Sequence, residues 1–203
     1  MARYFRAYLA GPEVFLPEAV AIGRQKKQLC AKYRFEGLYP FDNEITGENE
    51  DVPTDILIYR ANVGMISEAD FGVLNLTPFR GPHADVGTAF EFGLLTGLNK
   101  PVWGYTNDVD DLLTRVKHHD IVTFDPAAKV WRDASGMSVE NFGNAENLMI
   151  EAALLEQGHP LFRHAAPPAE RYRDLTGFEH CLRLAAEAYA REDVPLRRHR
   201  GRP

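Results

Sequence analysis

The sequence predicts an α/β fold, an open sheet of about five mostly parallel strands flanked by helices, with an extra helical segment at the C-terminal end. Two observations carry this. Short apolar runs of β type alternate with longer stretches of helical spacing along most of the chain. One of the runs, "FGVLNL" (71–76), is apolar almost throughout, as a strand covered on both faces of a parallel sheet must be. A chain of 203 residues is long enough for one sizeable core, so one domain is expected.

Taken in order, "YFRAYLAG" (4–11) reads as a first strand closed by Gly-Pro. Pro17 to Tyr33 has helical spacing, with Ala19, Ile22 and Leu29 on the apolar side and Arg24, Lys26 and Lys27 outside. "FEGLYP" (35–40) is a second, short strand. The acidic stretch "FDNEITGENEDVPTD" (41–55) has no apolar period and reads as a long loop, a feature that often serves as a lid or binding loop. Ile56, Ile58 or Tyr59, Val63 and Ile66 space a helix over 55–70, ahead of the strand at 71–76. The turn-rich "TPFRGPHAD" (77–85) leads into a helix from about Val86 to Leu98, stopped by Gly97 and Asn99. "KPVWGY" (100–105) and "DIVTF" (120–124) supply the fourth and fifth strands. Residues 144–157 form an amphipathic helix, and 168–192 a helical region broken near Thr176–Gly177. The expected division is an α/β domain over 1–165, a helical extension of it over 166–193, and a basic, flexible tail over 194–203.

Composition narrows the function. The net charge is −6, but the last ten residues hold four arginines and no acid, which leaves −10 on residues 1–193. An acidic body argues against a nucleic-acid groove, because neutralising phosphates needs a basic surface. No apolar run is long enough to span a membrane, and Cys30 and Cys181 show no metal-ligand spacing. A cytoplasmic setting is therefore expected, with no nucleic-acid or membrane partner. Neither a phosphate-cradling glycine loop nor a G-x-S-x-G elbow occurs. His118–His119 is a lone pair that reads as loop rather than metal site. No metal and no cofactor is expected.

The anomaly is Glu91, a carboxylate among Ala89, Phe90, Phe92, Gly93, Leu94 and Leu95, a stretch that looks made to be buried, with Phe90, Phe92 and Leu94 expected to anchor the helix in the core. Such a group is exposed, paired with a cation such as Arg80, or needed for chemistry. Gly87, Thr88 and Glu91 share one helix face at spacings of three and four, and Gly87 and Gly93 are expected to leave room beside the carboxylate. A partly buried carboxylate in such a space suits a nucleophile or general base. Asp85 stands just before the helix, where it could cap free N–H groups. Because ligands of open α/β sheets sit beyond the carboxyl ends of the strands, the turns from Gly11, from Thr77 to Asp85 and from Tyr105 should face the site. Phe15, Phe79 and the loop with Asp42, Asn43 and Glu44 are candidates for meeting the ligand.

"AYLAGPEVF", "YPFDNE", "ANVGMISEADFGVLNLTPFRGPHADVGTAFEFG" and "GLNKPVWGY" together resemble the nucleoside 2-deoxyribosyltransferase family over roughly residues 4–157. The most specific element is D-x-G-x-x-x-E, Asp85 to Glu91, followed by Gly93 and Lys100–Pro101. The resemblance implies a flavodoxin-like fold and transfer of the 2-deoxyribosyl group between free purine or pyrimidine bases and 2′-deoxyribonucleosides. It places the nucleophile at Glu91, a hydroxyl-binding aspartate at Asp85 and an active-site tyrosine at Tyr8. It also implies a homo-oligomer, dimer or higher, with shared sites, in which a neighbouring subunit contributes Asn147 from Asn147–Leu148–Met149. Where some members have an aspartate near the leaving base, this chain has Asn62, which has no ionisable proton to give. The rival readings are an N-glycosidic hydrolase of 2′-deoxynucleosides or their 5′-monophosphates, and a non-catalytic nucleotide-binding sensor. Asp85 speaks against a phosphate, since its charge repels one, although Arg80 or His83 could offset it.

Overall fold

The computed structural model describes residues 4–42 and 52–191. Asn43, Glu44 and the tail over 194–203 lie outside the described residues. Among the described residues five parallel strands form the main sheet: β1 (Phe5–Ala10), β2 (Phe35–Leu38), β3 (Phe71–Asn75), β4 (Val102–Thr106) and, far along the chain, β8 (Phe162–Arg163). Their order is β2-β1-β3-β4-β8, every neighbouring pair parallel.

The fifth place differs from the sequence expectation. Residues Thr123–Asp125 do form a strand, β5, but it pairs antiparallel with β6 (Val130–Arg132), which pairs with β7 (Ser138–Val139) in a separate three-stranded sheet. The short run that completes the main sheet, Phe162–Arg163, has only two residues in register with Tyr105 and Thr106. Two residues carry no periodicity, so no pattern marks them.

Among the described residues there are six α-helices: α1 (Ala19–Lys32), α2 (Thr54–Glu68), α3 (Val86–Gly97), α4 (Leu112–His119), α5 (Leu148–Glu156) and α6 (Thr176–Ala190). Alternate strand residues point to opposite faces. Ala7, Leu9, Phe71, Val73, Trp103 and Tyr105 pack with Cys30 of α1 and with Phe178, Cys181, Leu182 and Ala185 of α6. Tyr8, Ala10, Leu74 and Val102 pack with Ile66 of α2, Phe92 and Leu95 of α3, and Leu154 of α5. The C-terminal helix α6 thus fills one face of the sheet, and Gly177 lets it approach: a Cβ there would stand 2.6 Å from the Tyr105 ring. Cys30 and Cys181 are buried free thiols within this layer.

One further expectation changes, and one motif residue gains a structural role. His118 and His119 close the last turn of α4 rather than a loop, where the helix dipole favours positive charge. Lys100, one of the motif residues, is buried and donates to the carbonyls of Ile66, Ser67 and Ala69 at 2.5, 2.7 and 2.5 Å. It satisfies carbonyls that α2 leaves unpaired as it ends, so its work is to dock α2 against β4.

Candidate active site

The chain reverses sharply after β1. Gly11 has φ +155, and a Cβ on it would meet the Glu13 carboxylate at 2.3 Å and the Asn75 side chain at 2.5 Å. Only glycine fits that close approach. The turn continues as a short 3₁₀ segment, Pro12–Phe15, which presents Val14 and Phe15 to a cavity of about 430 Å³. The cavity is lined by Gly11, Val14 and Phe15, by the apolar Pro40, Phe41 and Ile58, and by Asn62, Asp85, Gly87, Thr88 and Glu91. These residues follow β1 and β2, belong to α2, or open α3, so the cavity lies at the carboxyl edge of the sheet, as the topology requires.

Among the described residues one side chain bonds the Glu91 carboxylate: the Tyr8 hydroxyl donates to Oε1 at 2.5 Å. Tyr8 is fully buried on the α3 side of β1. Glu91 Oε2 receives no hydrogen bond from the described residues. Burial is the main cause that lifts the Glu91 carboxyl to about 7; the Tyr8 O–H acts the other way, and the Asp85 and Glu13 carboxylates add to the rise. Burial, then the charge of Glu91, pushes the Tyr8 phenol far up, so Tyr8 stays a donor. Because the Tyr8 hydrogen bond favours the ionised carboxylate, Tyr8→Phe is expected to raise the Glu91 pKa further. The titration of the Glu91 carboxyl, followed by carbon-13 NMR, should then move to higher pH. An unmoved titration would mean that Tyr8 does not set the carboxylate's charge.

Asp85 does cap α3: its Oδ2 accepts from the Thr88 N–H at 2.9 Å and the Thr88 hydroxyl at 3.1 Å. Its Oδ1 has no hydrogen bond from the described residues and Asp85 also lines the cavity, so capping and ligand contact are compatible. Arg80 is not Glu91's partner. Its guanidinium lies over the Phe15 and Phe79 rings, 5.1 and 4.6 Å from their centroids, and the two rings stack at 4.9 Å.

The remaining candidates divide. Gly11, Phe15, Asn62, Asp85, Gly87 and Glu91 are brought together around the cavity. Asp42 pairs instead with Lys27 and accepts from the Tyr39 N–H at 3.0 Å, holding the turn that presents Phe41. Asn147 does not line this chain's cavity. It caps α5, accepting from the Met149 N–H at 3.0 Å and donating to Glu140 at 2.8 Å. Gly93 is exposed with no atom near its Cβ position, so it clears no space beside Glu91. Phe90, expected in the core, is 56% exposed and lies 6.3 Å from the Tyr59 ring. Sequence reasoning missed Val14, Pro40 and Phe41; a Pro-Phe just past a strand end was the available signal. Among the described residues no cluster of His, Cys, Asp and Glu could hold a metal ion, and no helix is long and apolar enough to cross a membrane.

The family model for nucleoside 2-deoxyribosyltransferase matches residues 7–149. An uncharacterized protein of Schizosaccharomyces pombe is 30% identical over 164 residues, covering 74% of this chain and 77% of that protein. The solved 2-desoxiribosyltransferase of Leishmania mexicana is similar at 28% identity and TM-score 0.64, covering 90% of this chain and 97% of its own. A conserved protein of Enterococcus faecalis shares the fold at 17% identity and TM-score 0.51, over 90% of this chain and 99% of that one.

Proposed function

The chain belongs to the nucleoside 2-deoxyribosyltransferase family, and on that premise we propose that it exchanges the base of 2′-deoxyribonucleosides through a covalent deoxyribosyl ester on Glu91. The observation that carries this reading is the Glu91 carboxylate, oriented by Tyr8 through one oxygen and leaving the other unbonded beside a cavity. Departure of a base from C1′ passes through an oxocarbenium-like centre, which a carboxylate below the ring can trap. The C1′–N electron pair leaves with the base while Glu91 Oε2 forms the C1′–O bond. An incoming base nitrogen then attacks C1′, the ester electrons return to Glu91, and the N–H proton shed by the incoming base balances the proton taken up by the departed base anion. Two inversions give net retention.

The neighbouring residues suit these steps. Phe15, Phe41, Val14 and Ile58 offer apolar surface to a base and limit the water that would hydrolyse the ester. Asn62 can donate a hydrogen bond to the leaving base without supplying an ionisable proton. The unbonded Oδ1 of Asp85 accepts from a free 5′-hydroxyl, and its charge disfavours a 5′-phosphate. Asn147, turned away from its own cavity, is the residue that a neighbouring copy would contribute.

The test is a panel of 2′-deoxyribonucleosides and their 5′-monophosphates against several free bases, followed by chromatography. Exchange with parallel double-reciprocal plots and nucleosides preferred over nucleotides is expected. A requirement for donor and acceptor to bind together would sink the ester mechanism. Release of free deoxyribose at an unchanged rate whether or not a base is added would make the enzyme a hydrolase.

A further inference from the structure

Glu146 is a buried carboxylate, 1% exposed, to which the proposed chemistry gives no task. Its Oε2 accepts from the Ala84 N–H at 2.7 Å, and its Oε1 lies 2.9 Å from His83 Nδ1. On the other side it is anchored at the start of α5. Oε1 also accepts from the Asn147 N–H at 2.9 Å, the Glu146 N–H donates to Glu151 at 3.1 Å, and the buried Arg115 guanidinium stands 3.9 Å away. One side chain therefore clamps the two residues immediately before Asp85 onto a rigid helix end, across 62 positions of sequence. The clamp matters because the 77–85 segment is a turn with positive φ at Arg80 and Gly81, closed internally by the Phe79 N–H donating to the His83 carbonyl at 2.8 Å, and Glu146 ties its last residues to a separate element.

We propose that Glu146 is a positioning residue that sets the placement of Asp85 against the 5′-hydroxyl of the sugar. This rests on the reading of Asp85 as the hydroxyl acceptor. The Ala84 N–H is the last backbone donor before the α3 cap, so holding it fixes the direction from which the Asp85 side chain enters the cavity. In a site of this kind a displacement of about 1 Å costs on the order of a hundredfold in rate. Replacing Glu146 by glutamine keeps its size but puts an NH₂ where an oxygen now faces either Ala84 or Asn147 and His83.

The experiment compares two donors, a 2′-deoxynucleoside and the same nucleoside lacking its 5′-oxygen, with the wild-type enzyme and Glu146→Gln. For the hydroxyl-bearing donor Glu146→Gln is expected to lower kcat/KM about tenfold, the loss of one charge-assisted contact. For the 5′-deoxy donor the variant and wild type should agree within about twofold, because the contact being positioned is missing from both. A general structural defect would penalise both donors alike, and that outcome overturns the proposal while leaving the Asp85 reading intact. Equal turnover of the two donors by the wild-type enzyme would remove the Asp85 reading and this proposal with it. Should Glu146→Gln not fold, His83→Ala at a half-exposed position releases one arm of the clamp. It should lose about threefold, again only with the 5′-hydroxyl donor; no loss, or equal loss with both donors, overturns the proposal.

Discussion

Glu91→Gln is expected to abolish base exchange, lowering kcat by about three orders of magnitude or more while leaving the fold in place. Glutamine preserves the acceptor for the Tyr8 hydroxyl and the volume beside Gly87 and Thr88, but its amide cannot form and release a sugar ester. The same substitution is expected to raise stability at neutral and alkaline pH. Glu91 has a folded pKa of about 7 against an ordinary 4.5. The unfolded chain therefore releases this proton first as pH rises. Below about pH 4.5 the group is protonated in both states and costs nothing. Between 4.5 and 7 the cost grows, and above 7 it is complete, at as much as about 3 kcal/mol. Thermal midpoints of Glu91→Gln and wild type should thus coincide near pH 4 and separate at pH 8, the variant higher. A variant that keeps exchange within tenfold would remove Glu91 from the chemistry. Equal midpoints at pH 8 would mean that the carboxylate is not held at a cost.

That cost is why Glu91 could be picked out of the sequence. A carboxylate between Phe90 and Phe92 violates the pattern of its own helix, and such violations gather at working sites. Asp85, Gly87 and Thr88 followed from helix spacing, and Tyr8 and Asn62 from the family resemblance. Strands β1, β3 and β4 were legible because continuous apolar runs have few other uses in a parallel sheet. The fifth strand was not, since Phe162–Arg163 is too short to carry a period, while residues 120–124 have the right composition but yield only the strand Thr123–Asp125, which pairs elsewhere. Helix α4 passed unnoticed because it has eight residues and ends in Lys117, His118 and His119. Phe90 was misplaced because apolar character does not say which side of α3 faces the sheet. Lys26 was misplaced for the deeper reason that its partner comes from another turn of the chain.

Lys26 reads as an outward lysine of α1, yet it is fully buried, ion-paired with the equally buried Glu13. Its ammonium lies 4.8 Å from the Phe178 ring centroid. Glu13 also accepts from the Asn75 carboxamide at 2.9 Å, and Asn75 Oδ1 takes the Thr77 N–H and hydroxyl. Thr77 in turn accepts from the Asn107 N–H at 2.9 Å. The chain of contacts runs from the 3₁₀ segment that carries Val14 and Phe15, past the ends of β3 and β4, beneath the cavity. Lys26→Met should therefore cost about 3–5 kcal/mol, because it strands the Glu13 charge in the core rather than merely deleting a pair. Glu13→Gln should cost a similar amount by leaving the ammonium unpaired, although its amide oxygen still serves Asn75. The double variant should recover most of the loss, since removing both charges removes the desolvation that each imposes. Urea denaturation of the four proteins measures the cycle, and a single-variant cost under about 1 kcal/mol would mean that water reaches the pair. If the double variant regains stability but still has a raised KM, the pair is retained for the placement of Phe15 rather than for the fold; if KM is normal, the wall of the cavity is fixed by Gly11 and Asn75 alone.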